Sequence, residues 1–549
     1  MWTLAVVVPL VFLAAFFAYP VAAIVARGFV ANGALDLGGF ADVLGDPRTW
    51  RVVAHTLEQA VAGTVLAVVL AVPGAYVLYR CSWPGRGLVR GLVAVPFVLP
   101  SVVVGVAFRA LLASHGPLGF LGLDRSFPAI VAALVFFNYG LAVRLIGTVW
   151  ERLDPRTEQA ARTLGASPAR AFLTVTLPAL GPAIASAASL VFLFCATAFA
   201  VVLVLGGQRY ATVEVEIWLR TTQFLDLRTA SVLSVIQLVV VAVALWVSAR
   251  ARSRGERALR LVEAGRAVRP LRPLRSPVDA VTAALTALVV ALVALPLLTL
   301  VVRSFRRDGA WTLANYAALS GTGRAGGGGS ALTVSVWAAA QNSLRIAVDA
   351  TLLALVVGIT LSLVLSRRPR RPFARRAIGA LDSAVMLPLG VSAVTVGFGF
   401  LIALDRPPLD LRSSLVLIPI AQAMVAIPLV VRTILPVLRA IDPRLRQAAA
   451  VLGAAPGRVL ATVDLPLALR SIGLAAGFAF AVSLGEFGAT SFLARPDRPT
   501  LPVVIFRLLG RPGEGNYEMA VAASVVLAVV VGVVMTTAER LRPAGTGEL

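Results

Sequence analysis

The sequence predicts an all-α polytopic membrane protein with about twelve transmembrane helices, arranged as two parallel six-helix repeats. Of its 549 residues, 58% are hydrophobic and only 14% are charged, whereas soluble globular proteins have about 45–50% apolar and about 25% charged residues. Long apolar runs recur along the chain, and one stretch of sequence occurs twice. This composition excludes an ordinary soluble enzyme, a disordered protein and a fibrous repeat.

The basic excess of the chain is carried by arginine. Lys+Arg residues number 50 against 27 Asp+Glu, and the chain contains no lysine. The arginines lie mostly between apolar runs, which is typical of the cytoplasmic loops of membrane proteins and argues against a nucleic-acid partner. A G-x-x-x-x-G-K-[ST] phosphate-binding loop needs its lysine, so we expect no ATP site in this chain. Any dependence on ATP must then come from a partner protein.

Twelve apolar runs are long enough to cross a bilayer, which takes about 20 residues. They lie at about 4–26, 56–79, 91–113, 128–149, 183–205, 229–248, 278–302, 344–366, 379–404, 413–436, 471–493 and 518–537. A basic linker at 251–277 separates six runs from six, which predicts one domain at 1–250 and another at 278–549. Arginine is concentrated in this linker and in the loops that follow the second and eighth runs, so we expect those loops and both termini to be cytoplasmic.

The internal repeat gives the strongest evidence. Residues 154–178 read DPRTEQAARTLGASPARAFLTVTLP and residues 442–466 read DPRLRQAAAVLGAAPGRVLATVDLP, with a constant offset of 288 (442 − 154). Each copy lies between the fourth and fifth runs of its half, and an even number of runs separates the two copies. The halves therefore point the same way across the membrane, as in a parallel duplication.

Each repeated loop is predicted to form a short helix, a turn at a glycine and a second short helix. We define the first repeated loop as residues 151–180 and the second as residues 439–468. Gly165 and Gly453 permit the turn, and the Leu-Pro pairs at 177–178 and 465–466 are expected to end the second helix before the next span. An amphipathic helix resting on lipid headgroups is the alternative, but such a helix would need large apolar anchors at helical spacing.

The pattern E-A-A-x-x-x-G-…-L-P between late spans resembles the coupling loop of binding-protein-dependent ABC importer permeases. This resemblance implies the type I permease fold. It also implies that the loops are coupling helices seated in a partner ATPase, in two copies, and that an extracytoplasmic binding protein delivers the cargo. The residues to which it assigns ATPase coupling are Glu158, Gln159, Ala160, Ala161 and Gly165 in the first loop and Gln447, Ala448, Ala449 and Gly453 in the second.

The chain departs from the family pattern at the acidic position of this motif. Counting back from the glycines, Gln159 and Gln447 occupy that position, while Glu158 precedes it by one residue and Arg446 stands at the corresponding place in the second copy. Neighbouring helical residues point about 100° apart. The carboxylate contact with the ATPase is therefore in doubt, although glutamine retains the length and hydrogen bonding that docking needs.

Fused six-plus-six chains of this kind resemble the thiamine and ferric-iron permeases. The likeness rests on S-L-G-E-F-G-A-T (483–490) in the second half and on V-L-G-G-Q-R-Y-A-T-V-E-V-E-I-W (204–218) in the first. The latter stretch is closer to the thiamine permeases. A thiamine-type cargo is therefore favoured, with ferric iron next.

Glu486 is a candidate for the translocation path, because an acidic residue within an apolar run is costly unless it is paired or functional. Its counterpart in the first half is Ala198 (486 − 288). A carboxylate lining the path would favour a cationic cargo. The alternative is a structural role, through an interhelical hydrogen bond or an ion pair with a buried donor such as Arg144 or Arg432.

Other chemistries find little support in the sequence. Cys81, Cys195, His55 and His115 are too few and too scattered for a disulfide framework or a metal cluster, and we expect no metal, no cofactor and no catalytic residues. An ion-coupled secondary transporter with two six-helix halves is the alternative function, and a membrane scaffold without transport is the third. The expected location is the cell inner membrane.

Overall fold

The computed structural model describes residues 2–31, 34–255, 269–271, 276–325, 329–367, 372–405, 410–411, 414–513 and 515–541. Most of the predicted linker, at 256–268 and 272–275, lies outside these residues.

The first half of the chain is mainly helical in its described part. Its helices are α1 (Trp2–Leu13), α2 (Tyr19–Phe29), α3 (Gly38–Gly45), α4 (Pro47–Ala75), α5 (Arg86–Val98), α6 (Ser101–Leu112), α7 (Phe127–Arg152), α8 (Pro155–Thr163), α9 (Pro168–Ala171), α10 (Leu177–Ala196), α11 (Ala200–Leu205), α12 (Val213–Thr222) and α13 (Leu227–Gly255).

The second half repeats this order. Its helices are α14 (Pro277–Ser304), α15 (Ala314–Ala317), α16 (Val336–Leu365), α17 (Pro372–Gly390), α18 (Ala393–Ala403), α19 (Leu417–Ala440), α20 (Pro443–Val451), α21 (Pro456–Val459), α22 (Leu465–Gly485), α23 (Thr490–Leu493), α24 (Leu501–Gly510) and α25 (Asn516–Arg540).

Short elements complete the fold. The π-helical turns are Ala14–Ala18, Tyr76–Arg80, Phe172–Thr176 and Leu460–Asp464, and the 3₁₀ turns are Gly119–Leu121 and Ala318–Ser320. Two-residue strands pair as β1 (Val30–Ala31) antiparallel to β2 (Ala34–Leu35), β3 (Cys81–Ser82) parallel to β4 (Arg269–Pro270), and β5 (Arg306–Arg307) antiparallel to β6 (Ala310–Trp311).

The predicted all-α membrane architecture is confirmed. Ten helices of the described part of the chain are long and apolar enough to cross a membrane, and two bent pairs raise the number to twelve. The bent pairs are α5 with α6, at 106°, and α17 with α18, at 95°. Pro100, which lacks an N–H and disfavours helical backbone at the residue before it, lies at the first bend.

The two halves are related by the sequence offset and are interlocked. Helices α8, α9, α10 and α12 recur as α20, α21, α22 and α24, each beginning 288 residues later (443 − 155 for α8). The first span of each half packs against the other half: α1 and α2 pack on α16 and α18, and α14 packs on α4 and α6. The buried core is therefore continuous across the halves.

Candidate functional sites in the repeated loops and between the halves

Both repeated loops begin with the same helix start. The carboxylates of Asp154 and Asp442 accept hydrogen bonds from the backbone N–H of Arg156 at 3.0 Å and of Arg444 at 2.9 Å. A proline follows each aspartate at the first helical position, where no N–H is needed. The Asp-Pro pair thus fixes the starts of α8 and α20.

Both first helices end in the same glycine turn. Gly165 has φ +87° and Gly453 has φ +80°, a left-handed conformation that costs a residue with a Cβ about 1–2 kcal/mol. The N–H of the next residue reaches back five positions, from Ala166 to the Ala161 carbonyl and from Ala454 to the Ala449 carbonyl. This is a Schellman closure, and it confirms the turn predicted from the sequence.

The outward side of each loop is smooth and partly apolar. Gln159, Ala160, Gln447 and Ala448 are exposed, while Ala161 and Ala449 are half-buried. Large apolar side chains follow at the ends of both helices: Leu164 is 88% exposed, Val451 88% and Leu452 87%. Fully burying each such side chain on a partner is worth about 1.5–3 kcal/mol. The loops therefore present surfaces suited to docking.

The inward side of each loop is bonded to the helix that follows it. In the first loop, the Thr176 hydroxyl donates to the Glu158 carboxylate at 3.2 Å. In the second, Arg446 donates to Asp464 at 2.6 Å, and Arg367 donates to the same buried carboxylate at 3.1 Å. Glu158 thus bonds inward, toward its own half.

Thr176 and Asp464 were missed in the sequence analysis. The offset could have found them, because 446 − 158 and 464 − 176 both equal 288. Both sit on the π-helical turns that precede α10 and α22.

The expectation that the Leu-Pro pairs end the second short helix is wrong. In the first loop, α9 continues through the π-helical turn Phe172–Thr176 into α10, so that 168–196 forms one apolar crossing. In the second loop, 456–485 does the same. Pro178 and Pro466 lie in the first turn of α10 and α22, where the preceding π-turn respaces the hydrogen bonds and accommodates the missing N–H. Each loop is therefore the base of a continuous helix.

The fifth and eleventh spans end earlier than predicted. The sequence suggested spans at 183–205 and 471–493, but α10 ends at Ala196 and α22 at Gly485. Glu486 is thus the residue at which α22 stops, rather than a residue inside a helix. It is 7% exposed.

The carboxylate of Glu486 is satisfied by the turn that follows it. Its oxygens accept from the backbone N–H of Ala489 at 2.7 Å, from the N–H of Thr490 at 3.0 Å and from the Thr490 hydroxyl. Such bonds compete with the helical ladder and explain why the helix ends here. Among the described ion pairs, none joins Glu486 to Arg144 or Arg432, and Arg432 donates instead to the sulfur of Met386. The place of Glu486 in the path stays a prediction.

A second buried carboxylate links the halves. Glu214, in α12 of the first half, accepts from the hydroxyl of Ser392 at 2.8 Å, at the start of α18 in the second. Its other oxygen accepts from Gln237 at 3.0 Å. Because both oxygens are satisfied by protein donors, Glu214 is a structural contact between α12 and α18.

Glu216 on the same helix pairs with two arginines. Arg48 donates to it through Nε and Nη2, both at 2.9 Å, and Arg220 donates at 2.8 Å. Burial alone would raise the pKa of Glu216, but the hydrogen bonds and charges of the two arginines outweigh burial and lower that pKa below its ordinary value. The cluster ties the start of α4 to α12.

Metal chemistry has no visible basis in the part of the chain that the structure describes. No group of three or more His, Cys, Asp or Glu side chains there could hold a metal ion. Cys81 and Cys195 are buried and free.

Comparisons with known proteins point to membrane transport. Residues 63–253 match the family described as "Binding-protein-dependent transport system inner membrane component". The thiamine transport system permease protein ThiP of Brucella abortus is 28% identical over 506 residues, which cover 90% of this chain and 88% of that protein. The molybdenum transport system permease protein ModB of Azotobacter vinelandii is 35% identical over 173 residues, covering 30% of this chain and 76% of that protein.

One solved structure also aligns with part of the chain. It is a bacterial ABC transporter involved in the import of the acidic polysaccharide alginate, with a TM-score of 0.39 and 17% identity over 46% of this chain and 93% of that one.

Proposed function

Because this chain belongs to the family of binding-protein-dependent transport system inner membrane components, we propose that it forms the translocation pathway for a small solute of thiamine type. It is the permease component of an ABC importer and a multi-pass protein of the inner membrane. An extracytoplasmic binding protein would deliver the solute, and a separate ATPase would drive its passage. The chain itself would carry out no chemistry.

The choice of cargo is supported by how much of the chain each likeness covers. The similarity to the thiamine permease extends over 90% of the chain and so includes both halves, whereas the molybdenum permease aligns with 30% of it. Ferric iron, the second cargo expected from the sequence, stays a prediction.

The single observation that carries the driving mechanism is the paired geometry of the two repeated loops. Each has an aspartate-capped helix, a left-handed glycine and exposed apolar side chains, and each is continuous with a crossing helix. We assign ATPase docking to the outward residues Gln159, Ala160, Gln447 and Ala448, with Ala161 and Ala449 at their edge. Gly165 and Gly453 set the turns, and Glu158 holds the first loop from within. Two loops call for two copies of the ATPase.

An ion-coupled carrier is the competing function. Such a carrier has no need for two cytoplasmic helix–turn–helix elements with exposed leucine and valine side chains, and its intramembrane acids would be expected in both halves. Here Glu486 is matched by Ala198.

The domain bounds and the orientation belong to the same proposal. The permease domains would be residues 1–250 and 278–549, with the linker 251–277, the repeated loops and both termini on the cytoplasmic side. The interlocked first spans mean that the two domains would assemble together rather than separately.

The test is reconstitution. The chain is co-purified with the ATPase, placed in proteoliposomes and supplied with its cognate binding protein and with labelled thiamine. We expect uptake that needs both ATP and the binding protein. Uptake driven by an ion gradient without ATP would contradict the importer assignment, and a binding protein that ignores thiamine would contradict the cargo.

A further inference from the structure

Four aromatic side chains, two from each half, form a cluster between the halves. Phe199 and Phe487 stack with ring centroids 5.5 Å apart and planes 16° apart. Trp218 meets Phe506 edge to face at 5.8 Å. The ring-centroid distances within each half are 6.3 Å from Phe199 to Trp218 and 5.3 Å from Phe487 to Phe506. We call these four residues the aromatic cluster.

The cluster obeys the internal repeat. The differences 487 − 199 and 506 − 218 both equal 288, so each ring contacts its own repeat equivalent. Two equivalent residues can touch only near the axis that relates the halves. In parallel duplications that axis runs along the membrane normal, and the substrate lies at the repeat interface. The aromatic cluster therefore stands on the expected route of the cargo.

The cluster is mechanically connected to both repeated loops. Phe199 lies three residues beyond α10, and Phe487 lies two beyond α22. Each helix belongs to a crossing of 29 or 30 residues that begins in a repeated loop, a length of about 45 Å at about 1.5 Å per residue. The rings thus lie at the end of the crossing remote from the loops, and a tilt of either helix would separate the stacked pair.

The rings close the route in this structure. Phe199 is 7% and Phe487 2% exposed. Phe506 also borders a cavity of about 510 Å³ whose wall includes Arg109 and Arg125. Asp124 and Arg209 complete the charged part of this wall, and the rings lie beside the cavity, between the halves.

Ring faces favour one kind of cargo at that narrow point. An aromatic face attracts a weakly hydrated cation within about 6 Å and stacks on flat rings. The rings offer an oxyanion one neutral donor, the indole N–H of Trp218, and they offer a hydrated metal ion no charged ligand. Either ion would therefore lose more water there than these contacts replace. A flat organic cation loses the least hydration there and gains the most favourable contacts with the ring faces.

We infer that Phe199, Trp218, Phe487 and Phe506 form the outer constriction of the pathway and select cargo carrying a flat cationic ring. This inference rests on the proposed function, because it explains how a permease of thiamine type tells its cargo from an inorganic ion. It adds a specificity filter in the permease to the selection made by the binding protein.

The repeat itself provides matched variants for the test. Trp218→Phe installs the residue that the second half has at the equivalent position, while Trp218→Leu removes the ring. Phe487→Leu does the same to the stacked pair. Phe136→Leu is the control, because Phe136 is 4% exposed, close to the 2% of Phe487, and meets Phe108 at 5.3 Å within the first half.

The measurement is ATP-dependent thiamine uptake in proteoliposomes, alongside ATP hydrolysis stimulated by the binding protein. We expect at least a tenfold loss of uptake for Trp218→Leu and for Phe487→Leu, with ATP hydrolysis retained. Phe136→Leu should stay within threefold of wild type in both assays, and Trp218→Phe, which keeps a ring, should lose less uptake than Trp218→Leu. Wild-type uptake by both leucine variants would overturn the inference, whereas no thiamine uptake by the wild type would overturn the proposed function instead.

A second experiment tests the constriction whatever the cargo. Phe199→Cys and Phe487→Cys are combined in a chain that also carries Cys81→Ala and Cys195→Ala, and are joined by a short bis-methanethiosulfonate reagent. The cross-link prevents positions 199 and 487 from separating, so ATP hydrolysis stimulated by the binding protein should fall at least fivefold. Reduction breaks the cross-link and should restore the hydrolysis. Unchanged hydrolysis in the cross-linked protein would overturn the constriction.

Discussion

Arg446 and Asp464 fasten the second repeated loop to the base of α22. The guanidinium Nε of Arg446 lies 2.6 Å from Oδ1 of Asp464, whose side chain is fully buried. At the equivalent positions of the first half, the Thr176 hydroxyl donates to Glu158 at 3.2 Å. The repeat thus preserves a bond between loop and helix while replacing both partners, which accounts for the apparent mismatch of Glu158 with Arg446.

This contact predicts an asymmetric response to mutation. Asp464→Asn removes the charge that pairs with Arg446 and Arg367, and we expect it to lower stability by about 2–4 kcal/mol, because breaking a buried pair leaves unpaired charge. Thr176→Val removes one hydroxyl bond and should cost about 0.5–1.5 kcal/mol. Thermal unfolding of the detergent-solubilised chain measures both values. Equal losses for the two variants would contradict the account.

Alanine substitution is predicted to change stability in opposite directions at two glycines of the second repeated loop. Gly453 and Gly457 both have open space where a Cβ would stand, but only Gly453 has positive φ. Gly453→Ala should destabilise the second repeated loop by about 1–2 kcal/mol and weaken ATPase binding. Gly457→Ala, inside α21, should stabilise it by about 0.5–1 kcal/mol. Co-purification of the ATPase with each variant provides the readout, and equal retention of the ATPase by both variants would argue against the role of the turn.

Glu486→Gln is predicted to reduce uptake while the complex with the ATPase still assembles. The amide nitrogen cannot accept a hydrogen bond, so one donor of the 489–490 turn loses its acceptor, and the position of neighbouring Phe487 shifts. Initial rates of uptake are compared with the amount of ATPase that co-purifies. If transport is unchanged, Glu486 has no part in the mechanism.

Protonation of Glu216 is predicted to lower the stability of the fold at acid pH. Its pKa is lower in the folded protein than its ordinary value near 4.5, so its pairing with Arg48 and Arg220 stabilises the fold fully above that value. The contribution is lost as the pH falls through the lowered pKa. Melting temperature in detergent should therefore drop more steeply below about pH 4.5 in the wild type than in Glu216→Gln.

The same substitution sets the size of this effect at neutral pH. Because Arg48 is 39% exposed, solvent screening limits the expected loss for Glu216→Gln to about 1–2 kcal/mol at pH 7. A variant as stable as the wild type at pH 7 would contradict the role given to this cluster.

Much of the architecture could be predicted from the sequence, because apolar length and arginine punctuation report directly on membrane crossing. The glycine turns at 165 and 453 were also predictable, because such a short helix–turn–helix closes through a residue in the left-handed backbone conformation, which glycine adopts readily. The membership of the permease family is confirmed, and the described part of the chain has ten helices that could cross a membrane, or twelve if each bent pair is one crossing. The docking role of the loops stays a prediction.

What could not be predicted depends on tertiary contacts. The early end of α22 follows from the bonds that Glu486 makes to residues 489 and 490, and hydropathy does not register such bonds. The continuation of α9 into α10, past Pro178, depends on a π-helical turn, and no sequence pattern indicates such a turn. The stack of Phe199 on Phe487 joins residues 288 positions apart (487 − 199), and the offset alone did not reveal that equivalent rings meet.

The central claim is that the two repeated loops are the elements by which the chain docks on a separate ATPase. The most direct test places a single cysteine at Gln159 or at Gln447 in a chain lacking Cys81 and Cys195, and treats the co-expressed importer with a thiol-to-amine cross-linker. We predict a cross-link between the chain and the ATPase from each of the two positions. We predict none from a cysteine at Phe120, an exposed residue between α6 and α7 that is expected on the extracytoplasmic side. Failure of both positions to reach the ATPase, in a complex that still imports cargo, would contradict the account.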